Sequence, residues 1–156
     1  MNNSKNNAAK VADFLLQINA VKLQPYNPFK WASGWNSPIY CDNRKILAYP
    51  KIREFIKNEF ISLIKEFDKA TCIAGVATGG IAIGAIVAEE LGLPFCYVRS
   101  ESKSHGMKNN IEGDLTKEDK VYVIEDWISS GKSSLKAVQD LREFGVEVLA
   151  LGAIFS

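Results

Sequence analysis

The stretch Val121-Tyr-Val-Ile-Glu-Asp-Trp-Ile-Ser-Ser-Gly-Lys-Ser-Ser134 decides the fold of this chain. It opens as an apolar run of strand length, rich in β-branched residues, and sets two adjacent carboxylates, Glu125 and Asp126, where the strand should end. A turn of small residues follows, Ser129-Ser130-Gly131. A helical pattern then starts near Lys132, with Leu135, Val138 and Leu141 on one face. A strand, a small-residue turn and a helix N-terminus together form an anion cradle, because several backbone N–H groups converge and the helix dipole favours negative charge. The acidic pair just before the cradle repels a phosphate. It suits a neighbouring polyol or a divalent cation, since carboxylates accept hydrogen bonds from vicinal hydroxyls and ligate Mg²⁺. Sugar hydroxyls beside a phosphate describe a ribose 5-phosphate. A nucleotide P-loop is excluded: it needs glycine five residues before Gly131, and Asp126 stands there with the wrong charge for a triphosphate.

Outward from this stretch, strands and helices alternate. Pro50 opens a helix reaching Phe67, with Ile52, Phe55, Ile56, Phe60, Leu63, Ile64 and Phe67 as its apolar stripe. Cys72–Val76 reads as a buried strand, followed by the glycine-rich turn Ala77-Thr-Gly-Gly80 and a helix to about Leu91, stopped by Gly92 and Pro94. That turn is either a second anion cradle or a plain connection. Phe95–Arg99 is the next strand, and 146–155 reads as a buried strand after a helix capped by Gly145. The alternation predicts an α/β domain with a parallel sheet, flanking helices and ligands at the carboxyl ends of the strands, where both cradles lie.

The rest of the chain bounds the function. At 156 residues and 47% hydrophobic content the chain is expected to be a single domain with a real core. Its 19 basic and 18 acidic residues leave no global field for nucleic acid. Cys41, Cys72 and Cys96 are scattered and odd in number, which predicts free buried thiols in a reducing compartment and no metal site. The polar N-terminus has no apolar signal core, and the uncharged run Thr71 to Ala88 carries four glycines. That run reads as strand, turn and helix rather than a membrane span. Residues 8–21 predict an amphipathic helix. Residues 23–49 predict a small β substructure whose aromatics Tyr26, Phe29, Trp31, Trp35 and Tyr40 read as core rather than a stacking surface. Residues 99–113 have no period, are hydrophilic and hold the single histidine. Such a loop is a functional lid or a solvated connection.

Three segments carry a family resemblance. Glu125 to Ser133 resembles the phosphoribosyl-pyrophosphate (PRPP) motif of type I phosphoribosyltransferases. Phe29-Lys-Trp-Ala-Ser-Gly-Trp-Asn-Ser-Pro-Ile-Tyr-Cys-Asp-Asn-Arg44 resembles the N-terminal signature of orotate phosphoribosyltransferases, and Arg99-Ser-Glu-Ser-Lys-Ser-His-Gly106 with Ile111-Glu-Gly113 resembles their catalytic loop. The resemblance spans residues 8 to 156. It implies a type I phosphoribosyltransferase fold, with a hood over about 8–49 and a core over about 50–156. The implied reaction joins orotate to the 5-phosphoribosyl group of PRPP, giving orotidine 5′-monophosphate and pyrophosphate, with Mg²⁺ carried on PRPP. It also implies a cytoplasmic homodimer whose loop 99–113 reaches the adjacent subunit's site.

Roles follow from the same resemblance. Glu125 and Asp126 hold the ribose hydroxyls and stabilise the positive ring. Trp127, Ile128, Ser129, Ser130, Gly131, Lys132 and Ser133 complete the PRPP site, with Ser129 also near orotate. Ala77, Thr78, Gly79 and Gly80 form the pyrophosphate loop, and Arg99, Lys103 and His105 neutralise the leaving group, Lys103 or His105 donating its proton. Departures are Ala32, Gly79 and Ser100, where some members carry lysine. Family members also continue past the position of Ser156 with elements that include an arginine for the orotate carboxylate, so the chain is read as C-terminally short. A PRPP-binding regulator on the same fold, and a transferase for another base, remain as alternatives.

Because a lysine acts on phosphate as a point charge, Lys103→Ala is expected to cut turnover far more than it changes the urea unfolding midpoint. A stable, fully active Lys103→Ala protein would remove Lys103 from the site.

Overall fold

The computed structural model describes residues 2–30, 34–67, 69–99 and 110–156, with side chains from residue 7 onward. Two compact units are present, Met1–Ile56 and Lys57–Ser156.

In the first unit, α1 (Asn2–Gln17) buries Leu15 and is followed by buried Ile18 and Ala20. The helix starts earlier than its apolar spacing suggests and ends before Val21, which belongs to β1 (Val21–Leu23). Two short antiparallel ribbons follow. β2 (Phe29–Lys30) pairs with β3 (Asn36–Ser37), and β4 (Ile39–Cys41) pairs back onto β1. A 3₁₀ segment, Asn43–Ala48, leads into α2 (Pro50–Lys65). The aromatics here correct the core expectation. Tyr26 is fully exposed, Trp35 is 70% exposed and Tyr40 is also exposed, with the Phe29 ring tilted against Tyr40 at 5.4 Å between ring centroids. Ribbons of two and three residues are too short to wrap an aromatic cluster, so these rings stay on the surface. Trp31 lies outside the described residues.

The second unit is a five-stranded sheet in the order β7-β6-β5-β8-β9. β5 (Cys72–Val76) leads through residues 77–78 into α3 (Gly79–Leu91), and β6 (Phe95–Val98) returns parallel to β5. β7 (Ile111–Glu112) is a short antiparallel edge strand within the segment expected to be all loop. Two residues give no readable period, so the sequence carried no signal for it. β8 (Lys120–Trp127), α4 (Lys132–Phe144) and β9 (Glu147–Phe155) complete the unit, with β8 parallel to both β5 and β9.

Central position explains the apolar strands. All of β5 and Val121 to Glu125 of β8 are buried, as a parallel strand covered on both faces requires. β9 departs from its expected burial: its apolar residues are half-buried because it forms one edge of the sheet. Leu135 departs too, at 70% exposure. The buried side of α4 is Ser134, Ala137 and Leu141, with Val138 packed partly against the same core. The three cysteines are free and buried, as expected.

β5 and β8 are adjacent, yet β5 passes through α3 to β6 on one side, while β8 passes through α4 to β9 on the other. Strand order therefore reverses between β5 and β8, which opens a crevice at their carboxyl ends. Glycines let α3 press onto that crevice. A Cβ at Gly75 would sit 2.7 Å from the Gly80 carbonyl oxygen, and one at Gly80 would overlap the Ile124 carbonyl oxygen. Backbone cannot yield as a side chain does. Gly80→Ala is expected to lower stability by about 1–3 kcal/mol, read from urea midpoints; parent-like stability would mean that α3 can lift off β8.

Candidate active site

β8 continues through both acids to Trp127, because β9 goes on pairing: Glu125 faces Ala153 and Trp127 faces Phe155 in register. The carboxyls therefore sit within the ladder, not beyond it. The pairing closes where the Ile128 N–H donates to the Phe155 carbonyl at 3.0 Å. Successive strand residues point to opposite faces, which divides the acids between the two helices. Glu125 turns to α4, where the Ser134 hydroxyl donates to its Oε2 at 3.1 Å. Asp126 turns to α3, and its carboxyl occupies the space where a Cβ of Gly79 would stand.

The two glycine-bearing turns predicted as anion cradles are thereby brought to one place. Residues 77–80 end β5, and residues 128–133 follow β8, the neighbouring strand. The Asp126 carboxyl belongs to the second segment and packs on the first. The Ala77–Thr78 peptide bond is cis. Neither helix start has a side-chain cap or an acid in its first turn, so backbone N–H groups and the positive dipole ends are left for an anion. Gly131 adopts a left-handed conformation, φ +74°, which lets the chain turn from strand direction into α4 at little steric cost. Ser129, Ser130, Lys132 and Ser133 are exposed around this turn, while Trp127, Ile128 and Gly131 are partly buried.

Electrostatically the acids are unequal. Glu125 is 4% exposed, and burial, with the Asp126 carboxyl beside it, pushes its carboxyl up to about 8. Bonds from the Asp126 N–H to Oε1 (3.1 Å) and from Ser134 pull the other way and are outweighed. The net effect favours the protonated form of Glu125. Asp126 is only partly buried.

Arg99 directly follows β6 and is partly buried. Its guanidinium is paired with Glu112 Oε1 at 3.1 Å, and its N–H donates to the Asn110 carbonyl at 2.8 Å. The base of the 99–113 segment is thus a closed neck, further tied by Asn110 Nδ2 donating to Asp140 of α4 at 3.1 Å. Lys103 and His105, with Ser100, lie outside the described residues, as does Ala32. Sequence reasoning passed over Ser134 and Glu112. Ser134 did leave a signal, since it stands at the first position of the 134, 137, 138, 141 stripe, where an apolar residue is expected. Among the described residues, no group of three or more His, Cys, Asp and Glu side chains is placed to hold a metal ion, and no helix is long and apolar enough to cross a membrane.

Residues 43–156 match the phosphoribosyl transferase domain family. An orotate phosphoribosyltransferase of Porphyromonas gingivalis is 57% identical, over 94% of this chain and 70% of its own length. One from Listeria innocua is 55% identical, over 94% of this chain and 71% of its own. Among solved structures, the orotate phosphoribosyltransferase of Aeropyrum pernix superposes with a TM-score of 0.74 at 31% identity, covering 92% of this chain and 78% of that one. An adenine phosphoribosyltransferase of Trypanosoma brucei, 20% identical with a TM-score of 0.69 over 94% of this chain and 66% of that one, shares the fold.

The buried acid has a measurable consequence. Folding raises Glu125 from its ordinary value of 4.5 to about 8, so between those values the folded chain binds more protons than the unfolded one. Its contribution to stability is full below that window and is lost as pH rises through it, with a slope of up to about 1.4 kcal/mol per pH unit. Urea midpoints measured across the window should show Glu125→Gln losing stability less steeply than the parent. Identical slopes in the two proteins would mean that Glu125 is ionised in the folded state.

Proposed function

The chain belongs to the orotate phosphoribosyltransferase family, and we propose that the crevice between β5 and β8 is where it transfers the 5-phosphoribosyl group of PRPP to orotate. The products are orotidine 5′-monophosphate and pyrophosphate, a step of pyrimidine biosynthesis. One observation supports this assignment of the site above the others: the Asp126 carboxyl packs against Gly79, so carboxyl groups stand between two anion cradles. PRPP has that order of groups. Its 5-phosphate and its pyrophosphate flank a ribose with two free hydroxyls.

In this reading the N–H groups and hydroxyls of 129–133 receive the 5-phosphate, with Trp127 and Ile128 shaping the approach and Lys132 adding positive charge. Ser129 also borders orotate. The turn 77–80 receives the pyrophosphate through backbone donors. A lysine at position 79 would have to displace Asp126, so here the phosphate contact falls to the backbone. Glu125, whose proton affinity burial raises, exchanges hydrogen bonds with the ribose hydroxyls. Asp126 faces the ribose from the α3 side, where positive charge develops as the C1′–oxygen bond to pyrophosphate loosens and the pyrimidine nitrogen attacks the opposite face. Most of the work is positioning and charge stabilisation. Arg99, Lys103 and His105 offset the charge of the departing pyrophosphate, and Lys103 or His105 supplies its proton. For Arg99 this requires exchanging Glu112 for the phosphate. Mg²⁺ arrives on PRPP and screens the pyrophosphate charge when bound. The working form in this proposal is a cytoplasmic homodimer, with segment 99–113 of one subunit serving the other.

Orotate consumption, followed by absorbance with Mg²⁺ and PRPP, tests the reading directly. Turnover by the parent is expected, with Asp126→Asn slower by about a hundredfold and the far-UV spectrum unchanged. Binding of PRPP without turnover would identify a PRPP sensor instead, and turnover with a different base alone would reassign the substrate.

A further inference from the structure

Among the described residues, the buried polar or charged side chains are Asn43, Glu125 and Ser134. Two of the three are bonded to each other. Ser134 is 3% exposed and Glu125 4%, and the Ser134 hydroxyl meets Glu125 Oε2 at 3.1 Å while the other oxygen, Oε1, accepts the Asp126 N–H at 3.1 Å. Ser134 also occupies a stripe position of α4 whose other members, Ala137, Val138 and Leu141, pack on the apolar core. A serine there gives up apolar burial and must satisfy its hydroxyl inside the protein. Its placement is therefore accounted for by its partner, not by the helix.

A carboxyl group turns about three side-chain torsions unless both oxygens are held. Here one oxygen is held from its own strand and the other from the first turn of the following helix. These two anchors set the carboxyl plane relative to the mouth of the crevice. We propose that Ser134 is a positioning residue: its buried hydroxyl fixes the Glu125 carboxyl in the orientation that meets the ribose hydroxyls of PRPP. This rests on reading the crevice as the PRPP site. Ser134 itself touches no substrate in this arrangement and acts only through Glu125. It also ties the α4 N-terminus, and with it the 5-phosphate cradle, to the carboxyl that receives the ribose. The register between the phosphate site and the ribose site is then set by one hydrogen bond.

Calorimetric binding of PRPP and of pyrophosphate alone to the parent, Ser134→Ala, Ser134→Thr, Glu125→Gln and the double variant tests this. Ser134→Ala should weaken PRPP binding by about tenfold while pyrophosphate, which has no ribose, binds within about twofold of the parent. Ser134→Thr, which keeps the hydroxyl, should recover most of the loss. In the Glu125→Gln background, removing the Ser134 hydroxyl should cost less than it does in the parent. Parent-like PRPP affinity in Ser134→Ala overturns the proposal, as does an equal loss of pyrophosphate affinity or full additivity of the two substitutions. Should Ser134→Ala fail to fold, Ser134→Cys, similar in size but a poor donor, carries the same comparisons. A parent that binds no PRPP refutes the site assignment itself, and that is seen before any variant is made.

Discussion

The close approach of α3 to the end of β8 is the constraint on which the rest depends. Two parallel strands deliver their loops to the same end of a sheet, but that alone leaves a gap between the loops. Gly75, Gly79 and Gly80 close it by having no side chains where the Gly80 carbonyl, the Asp126 carboxyl and the Ile124 carbonyl stand. At Gly75 and Gly80 the contact is backbone on backbone, so it is rigid, and at Gly79 it sets a carboxyl against a helix start that has no side-chain cap. Packing density in the core and the arrangement of charge in the crevice are therefore one feature. A larger residue at any of the three positions would disturb both.

Strand alternation then gives two neighbouring carboxyls different surroundings. Glu125 and Asp126 are neighbours in sequence, but one is enclosed beneath α4 and the other lies at the α3 side of the crevice. Enclosure raises the proton affinity of Glu125 and so reduces the repulsion that two adjacent charges would exert on each other and on an incoming phosphate. An acidic pair beside an anion site looks contradictory in sequence. Burial of one member resolves it.

Most of this architecture was legible in the sequence, because period and glycine placement encode it. The strand Cys72–Val76, the helix ending at Leu91 and the helix ending at Phe144 lie where their patterns put them. What escaped was set by tertiary context. The edge position of β9 follows from sheet order, which no local pattern contains. Leu135 and Ser134 exchange the roles that hydrophobicity assigns them, since a partner on another element, Glu125, outweighs the apolar preference. Tyr26, Trp35 and Tyr40 were misread as core because ring count suggests burial, while ribbons this short cannot enclose rings. Lys103 and His105, named from the sequence alone, lie outside the described residues.

The crevice chemistry also says where substrate choice has to reside. Backbone N–H groups recognise phosphates, and carboxyls recognise hydroxyls. Every 5-phosphoribosyl donor presents both, so the phosphate- and hydroxyl-binding groups of 77–80 and 125–133 do not by themselves distinguish one planar base from another. Discrimination needs groups that read a ring's faces and edges, and aromatic residues are concentrated in 29–44, where the Phe29 and Tyr40 rings lie tilted against each other and Trp35 is exposed. Exposed aromatic area is costly to leave in water, about 25 cal/mol per Å² of apolar surface, and is recovered when a planar ligand covers it. In the proposed reading the tasks divide by segment: the sheet ends take the phosphoribosyl group by shape and charge, and residues 29–44 carry the sequence features that resemble the orotate signature.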